Sequence, residues 1–188
     1  MSKVRNGVNL ENFENLVEAV KDNRGMANFR FKAKSEWKGG TKSEVTISEL
    51  TAGGQNIAAP DRNFKLTISE PPPLGGNDEG PNPMECLAAA LCGCLTAGIA
   101  SNAALFETEL EKIEVSVEAD FNLLGLLGVD RSVPTGADEI RYTVRLKGKS
   151  GVSSDALRRS KETIDKRSPV RNTLANPLRI STEVIVEE

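Results

Sequence analysis

The chain has 188 residues, a net charge of -3, a hydrophobic fraction of 38% and a charged fraction of 27%. That is enough for one sizeable soluble domain or a domain with an extension. Scarce aromatics argue against a base-stacking platform, and the net charge gives no sign of nucleic-acid affinity. There is no histidine, which removes Ser-His-Asp and Cys-His catalysis and every imidazole-bound zinc site.

In chain order, the first predicted element is a helix over "NLENFENLVEAVKDN", with Leu10, Phe13, Leu16, Val17 and Val20 at helical period. The N-terminus lacks the unbroken apolar core of a signal peptide, so a cytoplasmic protein with reduced thiols is expected. "ANFRFKAKSEW" alternates as a strand, "GGT" turns the chain, and "KSEVTISEL" returns as the second arm of a hairpin. "RNFKLTISE" reads as a third strand, and "PPPLGGNDEGP" as a loop.

A helix follows. Asn82 is its N-cap, Pro83 its first residue and Glu85 the third residue of a capping box. From Cys86 through Leu105 this helix carries no charge and holds all three cysteines. Its length approaches that of a membrane span, but its alanines, Gly93, Gly98, Thr96, Ser101 and Asn102 make it too polar and too small in side chain for lipid. The pattern predicts a core helix buried on every side. Cys92 and Cys94 lie about 200° apart around the axis, and Cys86 lies about 12 Å from Cys94 along it. No disulfide fits within this helix. A free cysteine also packs as a small hydrophobe, so a thiol here is either core filling or a functional group.

"LEKIEVSVEADFNL" is a strand, "LGLLGVDRSVPTGAD" a long loop and "EIRYTVRLKG" another strand. "SSDALRRSKETIDKR" is a helix capped by Ser153 or Ser154, and "LRISTEVIVEE" closes as a strand. The order predicts an α+β fold with largely antiparallel sheet.

"GPNPMECLAAALCGCL", followed by "RSPVRNTLANP" and preceded by "EWKGGT", resembles the OsmC/Ohr family of osmotically inducible and organic hydroperoxide resistance proteins. The resemblance runs from about Phe29 to the C-terminus, which implies an OsmC-like domain over residues 29–188 and an N-terminal helical extension over residues 1–28. The N-terminal helix resembles that of a longer OsmC-like subgroup. The resemblance implies antiparallel sheets around a buried central helix, an intertwined homodimer and a site at the subunit interface. The residues themselves lead to the expectation of no metal or cofactor, no nucleic acid and no membrane. In the family, a thiolate on the central helix attacks the O–O bond of an organic hydroperoxide, and a second cysteine resolves the sulfenic acid as a disulfide.

Carried onto this chain, the attacking position is Cys94 and the resolving position is Ser168. Serine cannot form that disulfide, so an external thiol would have to act instead. The family's glutamate directly after Asn-Pro is here Met84, and Glu85 follows about 100° further round the helix. Glu85 is then either a site carboxylate or only the capping-box partner. The arginine after the hairpin's Gly-Gly is replaced by Thr41 and Lys42, and Lys42 is either the thiolate's cation or a surface lysine. Arg171 is a further candidate cation. Ser168 precedes Pro169, so it either ends the last helix or donates a hydrogen bond to Cys94 or a ligand. Two functions follow. One is thiol-dependent reduction of an organic hydroperoxide or other small electrophile through Cys94. The alternative is a non-catalytic dimer that binds a small apolar ligand in the interface pocket.

Overall fold

The computed structural model describes residues 3–187. The chain divides into two compact units, Met1–Ala89 with Ala119–Ile140, and Ala90–Glu118 with Arg141–Glu188.

The first unit opens with a short hairpin, β1 (Val4–Arg5) and β2 (Val8–Asn9), turned by Asn6 and Gly7 at positive φ. The expected amphipathic helix follows as α1 (Leu10–Asp22), capped by the Asn9 side chain, which accepts from the Asn12 N–H. None of its residues is buried. Two three-stranded antiparallel sheets come next. One has the order β3 (Phe29–Phe31), β6 (Leu50–Ala52), β7 (Gln55–Asn56). The other has the order β4 (Lys34–Trp37), β5 (Ser43–Ile47), β8 (Phe64–Ile68).

The single strand expected over "ANFRFKAKSEW" is therefore two strands in different sheets. Pairing slips by one residue between Lys34↔Thr46 and Phe31↔Leu50. A one-residue mismatch breaks the ladder and re-aims the chain, as a bulge does. The β4–β5 turn is the expected Gly-Gly turn, with Gly39 and Gly40 at φ 101° and 55°. The Trp37 indole N–H donates to the Gly40 carbonyl at 2.9 Å.

The loop before the central helix is held by its own backbone. A Cβ on Gly76 would sit 1.7 Å from the Glu70 carbonyl oxygen, and one on Gly80 would sit 2.4 Å from that of Thr67. The Ser69 N–H donates to the Pro81 carbonyl, which ties this loop to β8. The long loop expected over "LGLLGVDRSVPTGAD" contains a one-turn helix, α3 (Leu123–Leu126), capped by Asn122. Leucine-rich sequence forms the turn because the Asn122 side chain accepts the orphan Leu124 N–H.

The helix α2 (Pro83–Leu105) begins in the first unit and continues through the second. In the second unit its Leu91, Leu95, Ile99 and Ala103 recur every four residues and are buried to 2% exposure or less. Fully burying each such leucine or isoleucine contributes roughly 1.5–3 kcal/mol. Burial on every side, expected from composition, is not what the chain shows. Ala90, Gly93 and Ala97 face outward, because the chain supplies cover for only one stripe of the helix.

The strands β9 (Leu110–Phe121) and β10 (Ala137–Gly148) pair as a two-stranded sheet. The outward face of this hairpin carries the ion pairs Lys147–Glu111 and Arg145–Glu114, the latter at 3.0 Å. The hydrogen bond from Lys112, helped by Arg145, holds the Glu114 carboxyl below its ordinary range. These pairs are solvent-exposed and align the strands more than they stabilise them.

The helix α4 (Ser154–Arg167) has Ser153 as its cap, the first of the two serines expected to serve. A further helix that the sequence reading missed, α5 (Pro169–Ala175), starts at once, with Ser168 closing one helix and capping the next. The closing strand expected over "LRISTEVIVEE" is not formed across residues 177–187, and Glu188 lies outside the described residues. Ile180, Val184, Ile185 and Val186 are each at least 80% exposed. The segment alternates as a strand should, but a strand needs a neighbour, and no described strand pairs with it.

Candidate functional site

The chemistry of the second unit is set by how α4 meets α2. Three contacts repeat at four-residue steps in opposite directions along the two helices. The Asn102 amide donates to the Ser160 carbonyl at 3.2 Å. Gly98 faces Ile164 so closely that an added Cβ would lie 2.1 Å from Ile164 Cδ1. Cys94 Sγ then lies 3.2 Å from Ser168 Oγ. Residues four apart share a helix face, so each contact fixes the register of the next. Ser160 and Ser168 are fully buried, and Ile164 is 7% exposed.

Among the described residues Ser168 makes four hydrogen bonds, one of them from the Asn172 N–H to its carbonyl at 3.0 Å. Its N–H donates to the Ile164 carbonyl at 2.7 Å, which ends α4. Its hydroxyl oxygen accepts the Arg171 N–H at 3.2 Å, which starts α5. The same hydroxyl shares a hydrogen bond with the Cys94 sulfur, and either group can donate it. Ser168 thus closes α4, caps α5 and lies beside the thiol.

The other candidates are placed differently. Glu85 is the reciprocal member of the capping box: its carboxylate accepts the Asn82 N–H at 2.8 Å, while the Asn82 side chain accepts from Met84 and Glu85. Lys42 pairs with Glu79 at 2.7 Å within the first unit. The Arg171 main chain, rather than its guanidinium, contacts Ser168. Within the second unit the geometry brings Cys94 and Ser168 together. Cys92 points away, as the 200° spacing requires, and its thiol donates to the Val115 carbonyl at 3.7 Å. All three cysteines are free. Among the described residues no group of three Cys, Asp or Glu side chains is gathered to hold a metal ion.

Sequence reading missed Asn102 and Ser160. The available signal was the matched spacing of 94, 98 and 102 against 168, 164 and 160, with a lone asparagine in an apolar run.

An α+β chain whose sharply capped, small-residue helix presents one half-buried thiol to a helix-capping residue belongs to a narrow class. Residues 75–183, more than half of the chain, match the family model described as OsmC-like protein, and the chain belongs to that family. Comparison by sequence with curated proteins finds no match. The fold is similar to that of several solved structures. An OsmC-like protein of unknown function from Vibrio cholerae aligns at TM-score 0.56 and 15% identity, over 77% of this chain and 92% of that one. An osmotic stress induced and detoxification response protein from Psychrobacter arcticus aligns at TM-score 0.55 and 14% identity, over 75% and 85%. An organic hydroperoxide resistance protein OsmC from Legionella pneumophila aligns at TM-score 0.51 and 19% identity, over 77% and 88%. At these identities the likeness is one of fold.

Proposed function

We propose that the protein reduces an organic hydroperoxide or a comparable small electrophile through Cys94, with an external thiol completing the cycle. The observation that carries this reading is the 3.2 Å approach of a buried serine hydroxyl to the Cys94 sulfur. A hydrogen bond to sulfur strengthens as the sulfur gains negative charge. The Cys94 thiolate attacks one peroxide oxygen; the S–O bond forms, the O–O bond breaks, and the leaving alkoxide takes up a proton to depart as an alcohol. The product is a Cys94 sulfenic acid. A small thiol then attacks that sulfur and water leaves, giving a mixed disulfide. A second thiol reopens it and regenerates Cys94. Ser168 takes no covalent part, since a hydroxyl cannot resolve a sulfenic acid.

The protein would work as a cytoplasmic homodimer with the substrate at the subunit interface. Support comes from the outward row Ala90, Gly93 and Ala97 on α2, a surface of small apolar residues that a second helix could approach closely. The one described helix long and apolar enough to cross a membrane is this same α2, and we read it as the core helix of the fold.

A second reading, non-catalytic binding of a small apolar ligand, is favoured by the engagement of Lys42 with Glu79, which leaves that cation committed elsewhere. Stopped-flow oxidation by an alkyl hydroperoxide, with mass spectrometry of the modified cysteine, separates the two. Oxidation at Cys94 with turnover on added dithiol is expected. An unmodified Cys94 would sink the catalytic reading and leave the binding one.

A further inference from the structure

We propose that the outer face of α4 is a binding site for a small soluble molecule carrying a phosphate or diphosphate group. The protein's net charge is -3, yet its positive charge is unevenly placed. α4 and α5 together carry six basic residues (Arg158, Arg159, Lys161, Lys166, Arg167 and Arg171) against three acidic ones (Asp155, Glu162 and Asp165). Lys161 is neutralised by Asp165. Among the described residues the other five cations have no carboxylate partner. Elsewhere most lysines are paired across strands or along helices, as in Lys21–Glu18, Lys65–Glu44 and Lys147–Glu111. Surplus positive charge thus collects on one short stretch of an acidic protein.

Three of these cations converge on one cleft. Arg159, Lys166 and Arg167, with Phe106, Thr163 and Glu162, line a cavity of about 460 Å³. That volume lies within the ordinary range for a small-molecule site. Positions 159, 163, 166 and 167 share a helical face, and it is not the face that Ser160, Ile164 and Ser168 turn to α2. The Arg159 guanidinium lies 4.1 Å over the Phe106 ring. Stacking holds the guanidinium flat and leaves its N–H edge outward, so less freedom is lost when it grips an oxyanion.

The charge balance selects the ligand class. Three cations and Glu162 leave the cleft two positive charges in excess, which a single carboxylate would not neutralise. A phosphate group carries nearly that charge and presents several acceptor oxygens. Helix polarity accounts for part of the arrangement, because Lys166 and Arg167 lie in the last turn, where cations complement the helix dipole. It does not account for Arg159, seven residues before Lys166, or for its aromatic seat.

The test titrates the full chain with pyrophosphate at low salt by calorimetry, and maps amide shifts in a labelled sample. Saturable binding of one pyrophosphate per chain is expected, with shifts centred on Phe106, Arg159, Thr163, Lys166 and Arg167. The double variant Lys166→Ala/Arg167→Ala should weaken binding at least about tenfold, the loss of one charge-assisted contact or more. Arg131→Ala, a loop cation outside the cleft, should leave binding unchanged. Raising the salt should weaken it, because the site is exposed. Vesicles rich in phosphatidic acid serve as the lipid arm, and no sedimentation with them is expected. Any of four results overturns the proposal: no saturable heat, shifts centred elsewhere, equal affinity in the double variant, or vesicle binding lost in that variant. Both substituted side chains are exposed and outside the core, so folding is not at risk, and the shift map of the unsubstituted protein stands independently.

Discussion

Ser168 is the residue on which the site turns, and it has two separable jobs. It caps α5 through the Arg171 N–H, and it meets the Cys94 sulfur at 3.2 Å. Ser168→Ala removes both. Loss of the cap costs about 1 kcal/mol. Loss of the sulfur contact should slow alkylation of Cys94 by iodoacetamide about tenfold at neutral pH, the scale of one hydrogen bond to a charged group. Peptide mass mapping should show Cys86 and Cys92 reacting as before. Ser153→Ala is the matching control, because it deletes the cap of α4 without touching the thiol. Its melting temperature should fall while Cys94 keeps its rate; equal slowing in both variants would mean that the contact with sulfur does nothing. The complementary change, Ser168→Cys, should crosslink to Cys94 after one equivalent of cumene hydroperoxide. If Cys94 oxidises in that variant and no crosslink appears on a non-reduced peptide map, the two side chains do not meet in solution.

At the scale of elements, the ladder between α2 and α4 makes a sharp distinction between two glycines that look alike in the sequence. Glycine costs a helix roughly 1 kcal/mol relative to alanine, so each needs a reason. Gly98 has one in this chain, since a Cβ there would run into Ile164. Gly98→Ala should lower the melting temperature, and adding Ile164→Ala should recover part of the loss, because the clash and the cavity offset each other. If the two losses simply add, the contact is not the cause. Gly93 meets nothing within 4 Å, so within the chain close packing gives a reason for Gly98 alone. The C-terminal segment shows the opposite mismatch. Its alternation is as clear as that of β10, yet periodicity states only which side chains share a face. It cannot supply the neighbouring strand that makes a sheet.

At the scale of the whole molecule, the outward row of α2 and the exposed tail both present apolar surface in quantity. Val184, Ile185 and Val186 each stand at least 80% exposed, and contiguous patches of that kind mark interaction surfaces. The expected outcome is an obligate dimer with an interface above the standard ~1,600 Å². Sedimentation at nanomolar concentration should show no folded monomer. Gly93→Leu should break that dimer while leaving the contacts between α2 and α4 in place. Wild-type sedimentation of this variant would mean that the Gly93 face of α2 is not the interface.

What the sequence determined by itself is local. The start of α2 was legible because a capping box is written in three neighbouring residues, Asn82, Pro83 and Glu85. The amphipathic α1, the strands β5, β8, β9 and β10, and the cap of α4 were legible because period and caps are properties of contiguous residues. The thiols' failure to pair was legible from helix geometry alone. The meeting of Cys94 with Ser168 was suggested by family resemblance, but its form was not, since residues 74 apart are joined only by the register of α2 on α4. The fates of Glu85 and Lys42 were left open for the same reason. Each could serve a nearby or a distant partner, and within the first unit each has a nearby one: the Asn82 N–H for Glu85, and Glu79 for Lys42. The one-residue slip between β3 and β4 was invisible because pairing register depends on both strands, and the sequence pattern describes one strand at a time.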